Sequence, residues 1–408
     1  MSSFAASTSS TTVPVSSIGF SSNFDSGNGK LISIDRSEDE KSMNAFIEIA
    51  DDVSSELEKI SFKQWFHFRF TNVRDIACNF TIANAGKCAF QVAFNGYNVC
   101  ASYDRENWFR IPTTYDEASG TMRWSVTPKS PQIYFAYFPP YSREKHLDLI
   151  AWCSNAGASV TTIGSSLRCA DIDMITYGTG PRKVWLIARQ HPGESQGEWF
   201  MDGFLRRLLN PKDSVARHAL QDATFYVVPN INPDGSTMGH LRTNASGANL
   251  NREWTSTGDY KAPTLKNSPE VYHLLENTDR LGCDLFLDVH GDEELPYNFV
   301  SGMEGCAVWG PRLEGLQKRF GDELMKADPN YQVTHGYELD PPLGANYALC
   351  SNQMAQRYDC LSLTLEMPFK DVMDCRGKEV TFLDQEAANF GRSMLDAIKA
   401  VLPLLRAN

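Results

Sequence analysis

The chain has no run of about 18 or more apolar residues, the length a helix needs to cross a bilayer. Its first residues carry neither the basic segment nor the apolar core of a secretory signal. Met1 to Ser17 is rich in Ser, Thr and Ala, and the first basic residue is Lys30, so an Arg-rich mitochondrial presequence gains no support either. We read this tail as disordered. Basic charge is in deficit: 38 Lys and Arg stand against 50 Asp and Glu, for a net charge of -12. That balance excludes general attraction to nucleic acid or to anionic membrane surfaces, and an acidic substrate would need a local basic pocket. The ten cysteines are scattered, with no C-x-x-C pair and no dense cluster, so a reducing compartment is expected and the chain is placed in the cytoplasm.

What is present is ordinary globular material. Hydrophobic residues make up 42% and charged residues 22%, and 408 residues exceed one typical core, so two domains are expected. From residue 18 to 141 the pattern is one of short period-2 segments broken by Gly, Asn and Pro. They are Trp65 to Thr71, Cys78 to Ile82, Phe90 to Phe94, Thr121 to Val126 and Ile133 to Tyr137. This predicts an antiparallel β-sandwich, with Asp35 to Lys41 as a solvated loop and Pro139-Pro140 near the domain edge. From 142 to 408 the rhythm changes. Apolar runs that read as buried strands (Val184 to Ala188, Phe225 to Val228, Leu285 to Val289, Leu361 to Leu365) alternate with helical stretches such as Glu198 to Leu209 and Gln385 to Leu405. The fold class is therefore α/β: an α/β/α layer domain with a mixed, largely parallel central sheet, preceded by the sandwich. In such sheets functional groups gather beyond the carboxyl ends of the strands.

Four segments sit at such ends. Directly after Val184 to Ala188 come His191 and Glu194, on a strand-to-helix turn where an imidazole and a carboxylate can converge on one ion. His290 closes the apolar run Leu285 to Val289 and reaches the same edge. Two His and one Glu, with a fourth position left open, make a catalytic rather than a structural zinc set. Glu366 ends Leu361 to Leu365, where a carboxylate could act as general base and then as general acid. Asn251 and Arg252 follow Asn232-Pro233-Asp234-Gly235 and Arg242; an amide beside a planar guanidinium suits capture of a free carboxylate. Each segment alone also has a bland reading: a surface turn, a satisfied core histidine, a solvated loop arginine, a surface charge on an edge strand.

Taken in order, His191-x-x-Glu194, Asn232-Pro-Asp-Gly, Arg242, Asn251-Arg252, His290 and Glu366 resemble the zinc metallocarboxypeptidases, in the cytosolic carboxypeptidase branch. Ser22 to Gly27, Gln64 to Phe70 and Phe135 to Ser142 resemble that branch's N-terminal sandwich. The resemblance runs from about Ser22 to the last helix. It implies that His191, Glu194 and His290 hold one zinc ion per chain, that Arg242 polarises the scissile carbonyl, and that Asn251 and Arg252 bind the terminal carboxylate of a peptide or protein substrate. Glu366 would deprotonate the attacking water and hand the proton to the leaving amine. A tyrosine covering the bound residue is implied as well, and Tyr337 and Tyr347 both lie in its window. Where digestive members carry an Arg between the first metal ligands, this chain has Pro192 and Gly193. The eukaryotic cytosolic members are associated with removing glutamates, which extends to this chain as an expectation with Lys370 as the candidate basic partner. The alternatives are a zinc amidohydrolase of aspartoacylase type and a catalytically silent interaction protein.

Overall fold

The computed structural model describes residues 17–53 and 61–406. Except for Ser17, the Ser/Thr-rich tail lies outside them. The chain opens with strands β1 (Gly19–Ser21), β2 (Lys30–Arg36), β3 (Ser42–Glu48), β4 (His67–Thr71), β5 (Ala77–Ile82), β6 (Val99–Ser102), β7 (Trp108–Ile111), β8 (Thr113–Asp116), β9 (Thr121–Val126) and β10 (Gln132–Ala136). They form two sheets, in the orders β1-β4-β10-β6-β7 and β2-β3-β5-β9-β8. Alternation decides which side chains face inward. Phe68 and Phe70 of β4 and Phe135 of β10 meet Phe80 and Trp124 of the other sheet, with Phe80 and Phe135 at 4.7 Å between ring centroids. Neighbouring strands are antiparallel except β3 and β5, which run parallel because the chain crosses to the other sheet as β4 between them.

Phe90 to Phe94 is not a strand. Residues Gln91–Phe94 form a 3-10 turn in which Val92 is 57% exposed while Ala93 and Phe94 are buried, so the apolar residues follow a helical rather than a two-residue period. Asp35 and Arg36 likewise belong to β2, leaving only the segment after them as an exposed turn.

The second half begins with α1 (Arg143–Asn155), which Ser142 caps by accepting the Lys145 N–H. It continues through β11 (Ser159–Ser165), β12 (Asp171–Tyr177), β13 (Arg182–Ala188), α2 (Gln196–Leu208), α3 (Ser214–Asp222), β14 (Ala223–Val228), α4 (Pro233–Met238) and α5 (Pro269–Leu281). Then come β15 (Leu285–Asp292), β16 (Phe299–Ser301), α6 (Pro311–Ala327), α7 (Cys350–Tyr358), β17 (Leu361–Pro368), the short hairpin β18 (Val372–Met373) and β19 (Glu379–Val380), and α8 (Asp384–Val401). The helix predicted to reach Leu405 stops at Val401, and a 3-10 turn follows. Pro403 has no N–H to continue the ladder.

The large sheet has the order β11-β12-β14-β13-β15-β17-β16. Its centre, β14-β13-β15-β17, is parallel, and antiparallel strands flank it. Successive residues of β13 point to opposite layers. Val184, Leu186 and Ala188 join the core under α2, α3, α6 and α8, while Trp185 and Ile187 join the core under α5 and α7. Burial on both faces is why these strands read as continuous apolar runs. The first core continues without a break into the sandwich. At that junction Tyr137 stacks on Phe369 at 4.5 Å, and the Arg110 guanidinium donates to the carbonyls of Phe369 and Phe382. All ten cysteines are free thiols.

Candidate active site

The parallel register brings the site together. Ala188 pairs with Val289, and His290 pairs with Glu366, so three strand ends arrive at one edge. His191 and Glu194 lie on the turn between β13 and α2. That turn is tight: the Gly193 N–H donates to the Leu241 carbonyl at 2.8 Å, and a Cβ on Gly193 would stand 2.9 Å from the Leu241 Cα. Asn232 caps α4 through the Gly235 N–H and donates its own amide to the Gln190 carbonyl, tying the Asn-Pro-Asp-Gly segment to the same turn. It is thus a helix start, with Pro233 in the first turn.

Arg189 underpins the turn. It is a buried residue with φ of 61°, and its guanidinium donates to the Pro192 carbonyl at 3.1 Å and to Glu198 at 2.8 Å. Glu198 also meets His146 Nδ1 at 2.6 Å, so the charge is matched inside the core.

His191 Nδ1 lies 2.7 Å from Glu194 Oε1, His290 Nδ1 lies 2.8 Å from Glu194 Oε2, and the two Nδ1 atoms are 3.1 Å apart. Two imidazole nitrogens facing each other across a carboxylate suit a cation. Tetrahedral zinc with bonds of about 2.0–2.1 Å sets its donors roughly 3.3 Å apart. The far ring nitrogens are held too: His191 Nε2 meets Asn249 Oδ1 at 3.0 Å, and His290 Nε2 meets Asp288 Oδ2 at 2.9 Å. Those partners take the ring N–H and leave Nδ1 as the electron-pair donor. Burial, helped by Arg242, pushes His191 down to about 3. Burial opposes protonation of His290 as well, but Asp288 and Glu194 outweigh it and raise that ring. Glu194 is held well below the usual carboxylate range by the two rings despite its burial. The donor set therefore fits zinc. Among the described residues these three form the only such cluster of possible ligands.

Around them lies a cleft of about 490 Å³, lined in part by Arg242, Asn251, Arg252, Tyr337 and Glu366. Glu366 is buried, its Oε2 has no hydrogen-bond partner, and burial raises its carboxyl, with Glu194, Asp292 and Glu293 adding to the effect and His290 opposing it. It does not sit on an edge strand, because β16 pairs outside it through Phe299. Asn251 and Arg252 share a 3-10 turn; the Asn251 carbonyl oxygen of the side chain accepts the Cys350 N–H at 2.8 Å. Tyr337 donates its hydroxyl to Asp292 at 2.7 Å and packs edge-on against Phe299. The other tyrosine in the window is Tyr347. It lies outside the cleft lining, where its hydroxyl accepts the Ala307 N–H and donates to Gln356. Lys370 stands outside the lining as well, donating Nζ to the Glu294 carbonyl at 3.1 Å.

Sequence reasoning passed over Asp288, Asn249 and Arg189. Asp288 had a signal: it stands two residues before His290 on one strand and so shares its face.

Residues 20–138 match the family described as the cytosolic carboxypeptidase N-terminal domain, and residues 146–331 match the zinc carboxypeptidase family. A protein of Zymomonas mobilis is 41% identical over 383 residues, covering 94% of this chain and 96% of its own length. Human cytosolic carboxypeptidase 4 is 27% identical over 305 residues, which span 63% of this chain and 27% of that much longer protein. The solved metallo-carboxypeptidase from Pseudomonas aeruginosa, in complex with (2-guanidinoethylmercapto)succinic acid, superposes with a TM-score of 0.86 at 38% identity over 95% of this chain and 100% of its own. With both domain families in this order and that near-complete match, the chain belongs to the zinc carboxypeptidase family, in its cytosolic carboxypeptidase branch, and is a metallocarboxypeptidase.

Proposed function

We propose that the chain hydrolyses the C-terminal peptide bond of peptides or proteins, with His191, Glu194 and His290 holding one zinc ion per chain. The observation that carries this reading is the convergence of those three donors beside Glu366, whose free Oε2 faces the same cleft as Asn251 and Arg252. Zinc, when bound, supplies Lewis acidity to the scissile carbonyl and to a water molecule. The protein's own groups do the rest. Arg252 and Asn251 fix the substrate's terminal carboxylate, which sets the register of the last peptide bond. Arg242 donates to the carbonyl oxygen as negative charge grows on it. Glu366 takes the proton of the attacking water and passes it to the departing amine. A raised carboxyl on Glu366 suits the second role, and a neighbouring cation would bring it down for the first.

On the terminal residue, the charge of the cleft weighs against glutamate. Asp292, Glu293, Glu294, Glu304, Glu338 and Asp340 line it, and the cations in the lining are Arg242 and Arg252. Lys370 is already engaged with a backbone carbonyl. A guanidino dicarboxylate bound by the Pseudomonas relative fits the same picture: carboxylates for the arginines and a cation for the acidic wall. We therefore read the preferred terminal side chain as neutral or cationic.

The test is release from peptides ending in Glu, Asp, Lys, Phe and Leu, with and without chelator, and from their C-terminal amides. Chelator-sensitive release of Lys or Leu in preference to Glu, with the amides resistant, is the expected pattern. Equal cleavage of amides would contradict the carboxylate clamp and point to an endopeptidase or acylase; a preference for Glu would overturn the charge reading alone.

A further inference from the structure

The arginine assigned to the substrate carbonyl sits on backbone with no regular structure. Helix α4 ends at Met238, and the next helical turn begins at Leu250. A guanidinium that must meet a developing charge needs to be held to within about half an ångström, and an irregular loop does not provide that by itself. The sandwich domain does. Ser26 donates its N–H to the Thr237 carbonyl at 3.0 Å, and the Asn28 side chain donates to the Gly239 carbonyl at 3.0 Å. Asp52, which follows β3, reaches furthest in. Its Oδ1 accepts the Leu241 N–H at 2.7 Å, and its Oδ2 accepts the N–H groups of Arg242 and Thr243 at 2.8 and 2.9 Å and the Thr243 hydroxyl at 3.2 Å.

Three consecutive amides converging on one buried carboxylate define the backbone of that loop. The side chain is held from the same domain. The Arg242 guanidinium lies 5.7 Å from the Phe62 ring centroid and 5.8 Å from that of Phe90, within the range where a cation is attracted to an aromatic face. Phe90 itself lines the cleft.

We propose that Asp52 is a positioning residue for catalysis, through which the N-terminal domain fixes Arg242 over the scissile carbonyl, with Phe62 and Phe90 setting the direction of its guanidinium. This rests on the reading of Arg242 given above. The sandwich is then part of the active site, and its sheets are the rigid support for one transition-state contact. Replacing the carboxylate by an amide puts an NH2 group against N–H donors, so the loop loses its anchor, while the side-chain partners of the metal ligands, Asn249 behind His191 and Asp288 behind His290, are left in place.

The experiment uses the full chain loaded with zinc and four proteins: wild type, Asp52→Asn, Phe62→Leu and Arg242→Ala. Removing a donor to the developing oxyanion costs about 10²–10³-fold in kcat, and that is expected for Arg242→Ala. Asp52→Asn should lose about tenfold or more in kcat with KM and zinc content unchanged, and Phe62→Leu a few-fold. A phosphonate peptide, whose tetrahedral oxygens stand in for the transition state, should lose affinity in step with kcat/KM, while the peptide product does not. A structural role would instead lower the melting temperature or zinc content and leave kcat per bound zinc alone. If Arg242→Ala is impaired while Asp52→Asn and Phe62→Leu keep wild-type kcat, the positioning role is wrong and the reading of Arg242 stands. If Arg242→Ala itself turns over at the wild-type rate, that reading fails and the proposal with it. Should Asp52→Asn not fold, Phe62→Leu decides, because leucine keeps an apolar side chain there and removes the ring face.

Discussion

Replacing Asp288 by asparagine separates metal affinity from fold stability. Asp288 is fully buried on β15, and one of its oxygens receives both His290 Nε2 at 2.9 Å and Gln190 Nε2 at 2.5 Å. The carboxylate holds the His290 proton on the far nitrogen and raises the basicity of Nδ1, the atom that faces Glu194. An amide keeps the shape and one acceptor but removes the charge. Loss of such a partner costs about 10–100-fold in metal affinity, or about 1.4–2.8 kcal/mol. Stability without zinc should fall by less than this, because the amide oxygen still accepts from His290 Nε2 and Gln190 Nε2 and the imidazole can give up its proton. The assay is competition between the apoprotein and a fluorescent zinc chelator, run beside thermal melts with and without zinc. The stabilisation gained from saturating zinc should shrink by the same 1.4–2.8 kcal/mol, about the figure taken from the affinity loss. Unchanged zinc affinity would refute the reasoning. So would an equal loss of apoprotein stability, which would make Asp288 a structural residue.

Two further expectations concern the scaffold. Glu270 in α5 is fully buried with one oxygen unpartnered, and burial pushes its carboxyl up to about 7 from 4.5. The folded state thus binds this proton more tightly than the unfolded state, so its contribution is complete below about pH 4.5 and is lost as pH rises through about 7. Between pH 5 and 8 the group should cost the wild type about 3 kcal/mol. Glu270→Gln should flatten that slope in urea melts at the two pH values, and an unaltered slope would contradict the assignment. In the helical layer, α2 crosses α8 where a Cβ on Gly203 would stand 1.8 Å from the Ala388 carbonyl oxygen. Gly203→Ala should destabilise by about 3 kcal/mol or more, whereas Gly315→Ala, at an exposed position of α6 with nothing nearby, should stabilise by about 0.5–1 kcal/mol.

The edge where the candidate ligands and Glu366 meet was legible because each of them follows an apolar run. His191, His290 and Glu366 come where a buried strand ends, and parallel packing then aligns the ends without further information. Other features left weaker traces. Phe90 to Phe94 satisfies alternation on paper, but five residues also fit one 3-10 turn, and only packing decides that Val92 faces outward. Tyr337 and Tyr347 are equivalent by spacing; the path of the segment between α6 and α7 turns one into the cleft and the other away. Asp52 had no local signal at all. Its partners lie about 190 residues downstream in a segment without periodicity, and such contacts exist only once the two halves have docked.

Zinc content and turnover of Glu366→Gln, measured on one preparation, bear most directly on the division of labour between metal ligands and proton carrier. The substitution removes only the group that moves the proton, so the protein should keep about one zinc per chain, as three intact donors require. Peptide hydrolysis should fall by about 10²–10⁴-fold. Turnover near the wild-type rate with zinc retained would mean that Glu366 is not the base, and loss of zinc would place it among the ligands instead.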